Sequence, residues 1–392
     1  MKVHPLSTTL LRGAPLIGAS VASENVNFIV FQPDDFWFFE EWDPPAHLPG
    51  QEAAYTTTYD LPHINQMRAN SLRMTEAYAS SPHYGTSRHS TVTGRFASRS
   101  AVSRDVAAAA DDAMQEVYIP TTKLHDVATV HDGNDCTANN LAAVFKANGY
   151  NTGVTGKWHL FDDYVHHPNG QFDYSTFQKD IRECGFDYAE ALYAENLNNR
   201  YLFTPSGGDE FSHNLEYIAD KTLRFLDKQD PSNSNFFLYV NPTAPHTDHV
   251  AEALDIKCNQ TPEGVLSAYP DVDYVVNGET FSTRDGCAEY RATVRDRLPS
   301  ELQDGTADRN KINHALGSIW VDDLVGVILQ KQRFAGKHRL SLPTGPWSRG
   351  QAYPLRDWHA HSSIHSLSKP HSHRWSRLCW PCFNDRYWAY PS

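Results

Sequence analysis

Three short strand-like runs, each closed by chemistry-bearing polar residues, constrain this chain more than any other feature. Residues 27–32 (Asn-Phe-Ile-Val-Phe-Gln) stop at Pro33-Asp34-Asp35. Residues 151–155 run into Gly156-Lys157-Trp158-His159, and residues 235–240 (Asn-Phe-Phe-Leu-Tyr-Val) lead through Pro242 to His246. Runs without polar alternation suit strands buried on both faces of a sheet. Helical spacing separates them. Residues 63–79 read as a helix followed by a short strand, and residues 135–147 as an amphipathic helix with Gly149 at its C-terminal stop. Residues 215–226 form another, and residues 311–332 a long one with Ile312, Leu316, Ile319, Val327 and Ile328 on its apolar positions. Strands alternating with helices predict an α/β fold, a mostly parallel central sheet flanked by helices. In such sheets the groups just past the strands' carboxyl ends converge on one crevice. Asp34, Asp35, Lys157, His159 and His246 are therefore expected at one end of the domain.

Size and charge narrow the class. The 392 residues are enough for one large domain with an appendage. No stretch approaches the ~18 consecutive apolar residues of a membrane span. A net charge of −13 argues against a general nucleic-acid binder, which must neutralise phosphates. Six cysteines are too sparse for a disulfide scaffold but allow one or two bridges. Residues 1–23 are signal-like, with Lys2 and Arg12 before a mildly apolar run and Val21-Ala22-Ser23 as a small-residue cleavage site. With the sequon Asn259-Gln260-Thr261, they point to a secreted protein or one of the endomembrane lumen. The oligomeric state is not legible.

Residues 331–392 have a different composition. They carry ten Lys/Arg against only Asp357 and Asp385, and no helix or strand period stands out from about Gly336 onward. The reading is a domain over residues 24–330 followed by a disordered tail or the product of an altered reading frame, leaving the C-terminal part of the fold truncated or aberrant.

Taken singly, the polar residues are ambiguous. An Asp-Asp pair after a strand can collect a divalent cation or form an acidic turn. An isolated histidine is more often structural than a ligand, and an isolated lysine is usually a surface group. The segment from Ser80 to Arg95 changes the balance. It reads Ser-Ser-Pro-His-Tyr-Gly-Thr-Ser-Arg-His-Ser-Thr-Val-Thr-Gly-Arg. Here the chain resembles the sulfatase family of the alkaline-phosphatase superfamily, whose signature is Cys-x-Pro/Ala-Ser-Arg-x-x-x-x-Thr-Gly-Arg. Ser87, Arg88, Thr93, Gly94 and Arg95 occupy its places. Residues 27–35, residues 149–160, residues 236–246 and the Asp-Asp-Leu-Val-Gly run ending at Gly326 resemble further family motifs, in family order.

The resemblance implies sulfuric ester hydrolysis of the arylsulfatase type, on a sulfated small molecule or polysaccharide. A formylglycine made from the signature cysteine would act beside bound Ca2+. It implies Asp34 and Asp35 as metal ligands and Arg88 as the group orienting the nucleophile. Lys157, His159 and His246 would contact the sulfate or leaving oxygen. Two departures stand against it. The nucleophile position is Tyr84, and tyrosine cannot become formylglycine. The family's later calcium ligands, from a Ser-Asp-His/Asn-Gly motif, do not follow Gly326. The alternatives are a non-catalytic member, or pseudoenzyme, that binds anionic esters, and a phosphoester or phosphonate hydrolase of the same superfamily.

Overall fold

A computed structural model describes residues 26–36, 59–72, 77–81, 84–97, 140–160, 174–194, 212–230, 235–246, 249–303, 306–335 and 338–341. Its centre is a five-stranded sheet built from β1 (Asn27–Phe31), β2 (Asn151–Lys157), β3 (Tyr188–Tyr193), β4 (Phe236–Asn241) and β9 (His338–Ser341). The strand order is β3-β2-β4-β1-β9, and every pairing is parallel. The expected α/β class is the observed one.

The sheet is buried on both faces, as the missing alternation required. Phe236, Leu238 and Val240 of β4 join Ile29 and Phe31 in one core, while Phe237 and Tyr239 point into the other with Val154. The first face is covered by α5 (Leu215–Asp227) and α8 (Arg309–Ala335), which contribute Ile218, Phe225, Leu316, Ile319 and Trp320. The second is covered from α3 (Leu141–Ala147) and α4 (Tyr174–Glu183), with Ala142, Phe177 and Ile181 beside Trp158 and Phe186. The Arg309–Lys331 part of α8 has the length and apolar composition of a membrane span, and 89% of its best window is buried within the protein. It is a core helix by its packing.

Further elements are α1 (Pro62–Ala69), α2 (Tyr84–Thr93), α6 (Val250–Ala253) and α7 (Ala288–Asp296), with two antiparallel hairpins. These pair β5 (Gln260–Thr261) with β6 (Gly264–Val265), and β7 (Asp273–Val276) with β8 (Glu279–Ser282). A disulfide joins Cys258 to Cys287 and ties this lobe to the start of α7.

Three sequence expectations change. Of the short strand expected before residue 79, residues 77–79 are irregular, and residues 73–76 lie outside the described residues. The helix expected from residue 135 is described from Leu141, where the Asn140 side chain accepts the Ala143 N–H as an N-cap; residues 135–139 lie outside the described residues. A fifth strand, β9, pairs Asn27 with His338 and Val30 with Ser341, although no strand period was read there. The backbone ladder supplies what the residue pattern does not advertise. The signal-like residues 1–23 and the tail from residue 342 lie outside the described residues.

Candidate functional site

The site begins at the carboxyl end of β1. Asp34 lies just beyond Gln32 and Pro33 at the strand's end and is 3% exposed. From α2, Arg88 donates from Nη2 to Asp34 Oδ1 at 2.5 Å, and from the end of β2, Lys157 Nζ meets Asp34 Oδ2 at 2.5 Å. Arg88 Nη1 also donates to the Lys157 carbonyl at 2.8 Å. One buried carboxylate thus binds two buried cations, and each of its oxygens is engaged. Burial alone would push the Asp34 carboxyl up, but the Arg88 and Lys157 charges hold it well below the usual carboxylate range. Burial pulls the Lys157 ammonium down, and Asp34 opposes that pull.

Local backbone explains how Lys157 reaches inward. The β2–β3 register shifts between Thr155 and Gly156, and Gly156 adopts φ +93°. A Cβ there would overlap the Asn241 carbonyl of β4, so only glycine lets the strand turn at this point. Two residues on, His159 is 2% exposed with φ +52°, a left-handed conformation unusual for a residue with a side chain. Burial, then the neighbouring Lys157 charge, hold its imidazole well below its ordinary value, so it is neutral at pH 7.

Asp35 stands on the other side of the turn, also left-handed at φ +53°. Its carboxylate is 3.9 Å from His246 Nε2, which arrives after β4 and the Ala244–Pro245 turn. Asp34, Arg88, Lys157 and His246 all act electrostatically on His159. The structure therefore brings Asp34, Asp35, Arg88, Lys157, His159 and His246 together at the carboxyl ends of β1, β2 and β4. Tyr84 is the first residue of α2, four positions before Arg88; its side chain lies outside the described residues.

Sequence reasoning missed the layer beneath. The Gln32 amide donates to Ser87 Oγ at 3.3 Å and accepts the Tyr239 hydroxyl at 2.6 Å, fastening α2 to β1 and β4. Gln32 ends the apolar run, and a polar residue closing a buried strand is the signal that marks it. In α2 itself, Ser90, Thr91 and Thr93 return their hydroxyls to the carbonyls of Thr86, Ser87 and His89. Such residues are indifferent helix formers, so tertiary contacts hold this helix in place.

The fit to a divalent cation can be judged from these donors. Calcium takes six to eight oxygens. The described residues offer Asp34, committed on both oxygens to cations, and Asp35 beside His246. That set does not fit calcium as it stands. A second acidic group, His63 with Asp322 and Asp323, has its ligand atoms within 4.8 Å of one another. Asp322 accepts the His63 and Ile64 backbone N–H groups, while Asp323 accepts from the Tyr290 hydroxyl and Arg297. It caps α1 and anchors α7.

Comparison with known proteins gives this arrangement a family. The family model described as Sulfatase matches residues 27–331. The chain is 24% identical over 209 residues to the "Ulvan-active sulfatase" of Formosa agariphila, covering 52% of this chain and 34% of that protein. It is 25% identical over 255 residues to "Arylsulfatase G" of Homo sapiens, covering 57% of this chain and 42% of the relative. The chain thus spans less than half the length of either curated relative. Among solved structures, the phosphonate monoester hydrolase of Agrobacterium radiobacter is similar at 13% identity and a TM-score of 0.42, over 84% of this chain and 65% of that one. A Bacteroides thetaiotaomicron protein described under glycosaminoglycan metabolism matches at 18% identity and a TM-score of 0.49, over 81% and 60%. The sulfatase family is one that uses a divalent metal. With the family model matched from β1 into α8, this chain belongs to the sulfatase family.

Proposed function

We propose that the site recognises the sulfate group of a sulfuric ester carried on a sulfated saccharide, small or polymeric, and that its reaction class is arylsulfatase-type hydrolysis. The observation that carries the reading is the Asp34–Arg88–Lys157 cluster, three side chains from three elements meeting at the strand ends inside a sulfatase-family domain. Arg88 and Lys157 are the buried cations that would face the sulfate oxygens. Neutral His159 offers a ring N–H without adding charge, and His246 lies at the more exposed rim beside Asp35. Hydrolysis breaks the ester S–O bond and leaves an alcohol and inorganic sulfate. The relative named for ulvan supports a saccharide as the carrier. We propose Ca2+ as the family's ion, whose sphere the donors among the described residues do not complete. The Cys258–Cys287 disulfide supports a secreted or lumenal protein, since such bonds persist in oxidising compartments.

A second reading is favoured by Tyr84. At the head of α2 the sequence has tyrosine, where the family chemistry uses an aldehyde hydrate derived from cysteine. On this reading the chain binds the sulfate ester without turning it over. Aryl sulfate turnover and calorimetric binding of inorganic sulfate, each with and without calcium, separate the two. The first reading expects calcium-dependent turnover, and the second expects binding without turnover above background. Losing a covalent nucleophile removes roughly 10⁴–10⁶ in rate by analogy with hydrolase triads. Calcium-dependent turnover by the unaltered chain would restore the first reading, and absence of both binding and turnover would overturn the site.

A further inference from the structure

We propose that His314 and Gly317, one turn apart on α8, are positioning residues that set the spacing between Asp35 and His246. The inference rests on the anion-site reading above and identifies what shapes one side of that site.

His314 is 1% exposed, and its Nε2 lies 2.9 Å from the Asp35 backbone carbonyl. A carbonyl oxygen only accepts, so Nε2 carries the hydrogen. Nδ1 is then the acceptor, and the Tyr59 hydroxyl 3.4 Å away donates to it. The chain of hydrogen bonds has a fixed direction, from Tyr59 through His314 to Asp35. It secures Asp35 in its left-handed conformation, which is strained for a residue bearing a Cβ. In that conformation the Asp35 carboxylate is the group that faces His246.

Gly317 acts on the other partner. A Cβ at this position would sit 2.7 Å from Pro245 Cα and 2.8 Å from Pro245 Cβ, and His246 is the next residue. Residues three apart share a helix face. One face of α8 therefore holds the Asp35 carbonyl at His314 and abuts the backbone just before His246 at Gly317. Asp35 comes from the β1 end and His246 from the β4 end, and α8 is the common surface against which both turns rest.

The test uses the full chain with ¹⁵N-labelled histidine and the variants His314→Leu, His314→Gln and Gly317→Ala. Glutamine keeps a side-chain N–H for the Asp35 carbonyl. Ring ¹H–¹⁵N spectra report on His246, with His89 on α2 as the internal control, and calorimetry measures inorganic sulfate binding. The His246 signals should move in His314→Leu and Gly317→Ala and stay near wild type in His314→Gln, with those of His89 unchanged throughout. Sulfate binding should weaken at least fivefold in the first two variants and stay within twofold in the third. Unmoved His246 signals in both disruptive variants would overturn the proposal. Should Gly317→Ala fail to fold, the leucine and glutamine pair at 314 decides it. If the unaltered chain does not bind sulfate, the functional reading fails, while the His246 signals still decide the positioning.

Discussion

Asp34 is the residue on which the site's electrostatics turn. Two cations share it, all three side chains are almost fully buried, and none has water to fall back on. Removing one partner of a buried ionic group strands the remaining charge and typically costs about 3–5 kcal/mol. Asp34→Asn should therefore lower the unfolding free energy by about that much in urea titrations, and adding Lys157→Met should recover part of the loss. A single variant within about 1 kcal/mol of wild type would show that the cations find solvent or another carboxylate. The same site shows how far residue-level reading reaches. Asp34, Arg88 and Lys157 were legible because each sits in a motif or at a strand end. His314 was not, because on a helix of apolar periodicity a histidine carries no mark of the carbonyl it will meet.

At the scale of elements, long-range side chains finish what local sequence leaves incomplete. Leu61 gives α1 no side-chain cap, and Asp322, 258 residues from Ile64 in sequence, accepts the Ile64 N–H at 2.7 Å and the His63 N–H at 3.2 Å instead. The lobe from α6 to α7 is fastened both by a covalent bridge and by ion pairs. Cys258–Cys287 closes it covalently, and Arg291 binds Glu216 of α5 through two bonds of 2.9 and 2.8 Å while lying 5.0 Å over the Trp320 ring. For a bridge with a sequence separation of 29, loop entropy predicts a loss of about 3–4 kcal/mol when both cysteines become serine. Hydrogen exchange should locate that loss in the β5–β8 hairpins, leaving β2 and β4 protected. Equal deprotection of the central strands would mean that the lobe and sheet unfold as one unit. The strand β3 shows the limit of pattern reading at this scale. Tyr-Ala-Glu-Ala-Leu-Tyr has Glu190 in its middle and, among the described residues, pairs with β2 alone, so its edge position, not its composition, makes it a strand.

For the whole molecule, buried titratable groups set the pH of greatest stability. Burial, with Asp323 adding to it, pushes the Asp322 carboxyl up to about 8 from an ordinary 3.8. Between those values the folded chain holds a proton that the unfolded chain has released, so stability falls as pH rises through the window. Burial pulls His89 down to about 4 and His314 likewise to about 4, from 6.5. In their window the unfolded chain holds the extra protons, so stability rises with pH. With His159 likewise held low, these histidines outweigh the Asp322 carboxyl below pH 6.5, and between pH 6.5 and 8 the Asp322 carboxyl opposes stability. The unfolding free energy should peak near pH ~6.5 and decline above it by about 1.4 kcal/mol per pH unit toward pH ~8. Asp322→Asn should flatten the alkaline side of the curve. A profile that still declines above neutrality in that variant would assign the effect to another group.

The sequence by itself determined the fold class, three of the central strands, the family and the residues at those strands' ends. Those features are local: unbroken apolar runs, helical spacing and short motifs survive in any reading of the chain. The tertiary structure alone decided which charges pair, how Asp34 is neutralised, what caps α1, and that β9 closes one edge of the sheet. Each of those depends on groups tens to hundreds of residues apart meeting in a buried, low-dielectric space. There a partner's position, which no local pattern records, determines whether a charge is held, shifted or stranded.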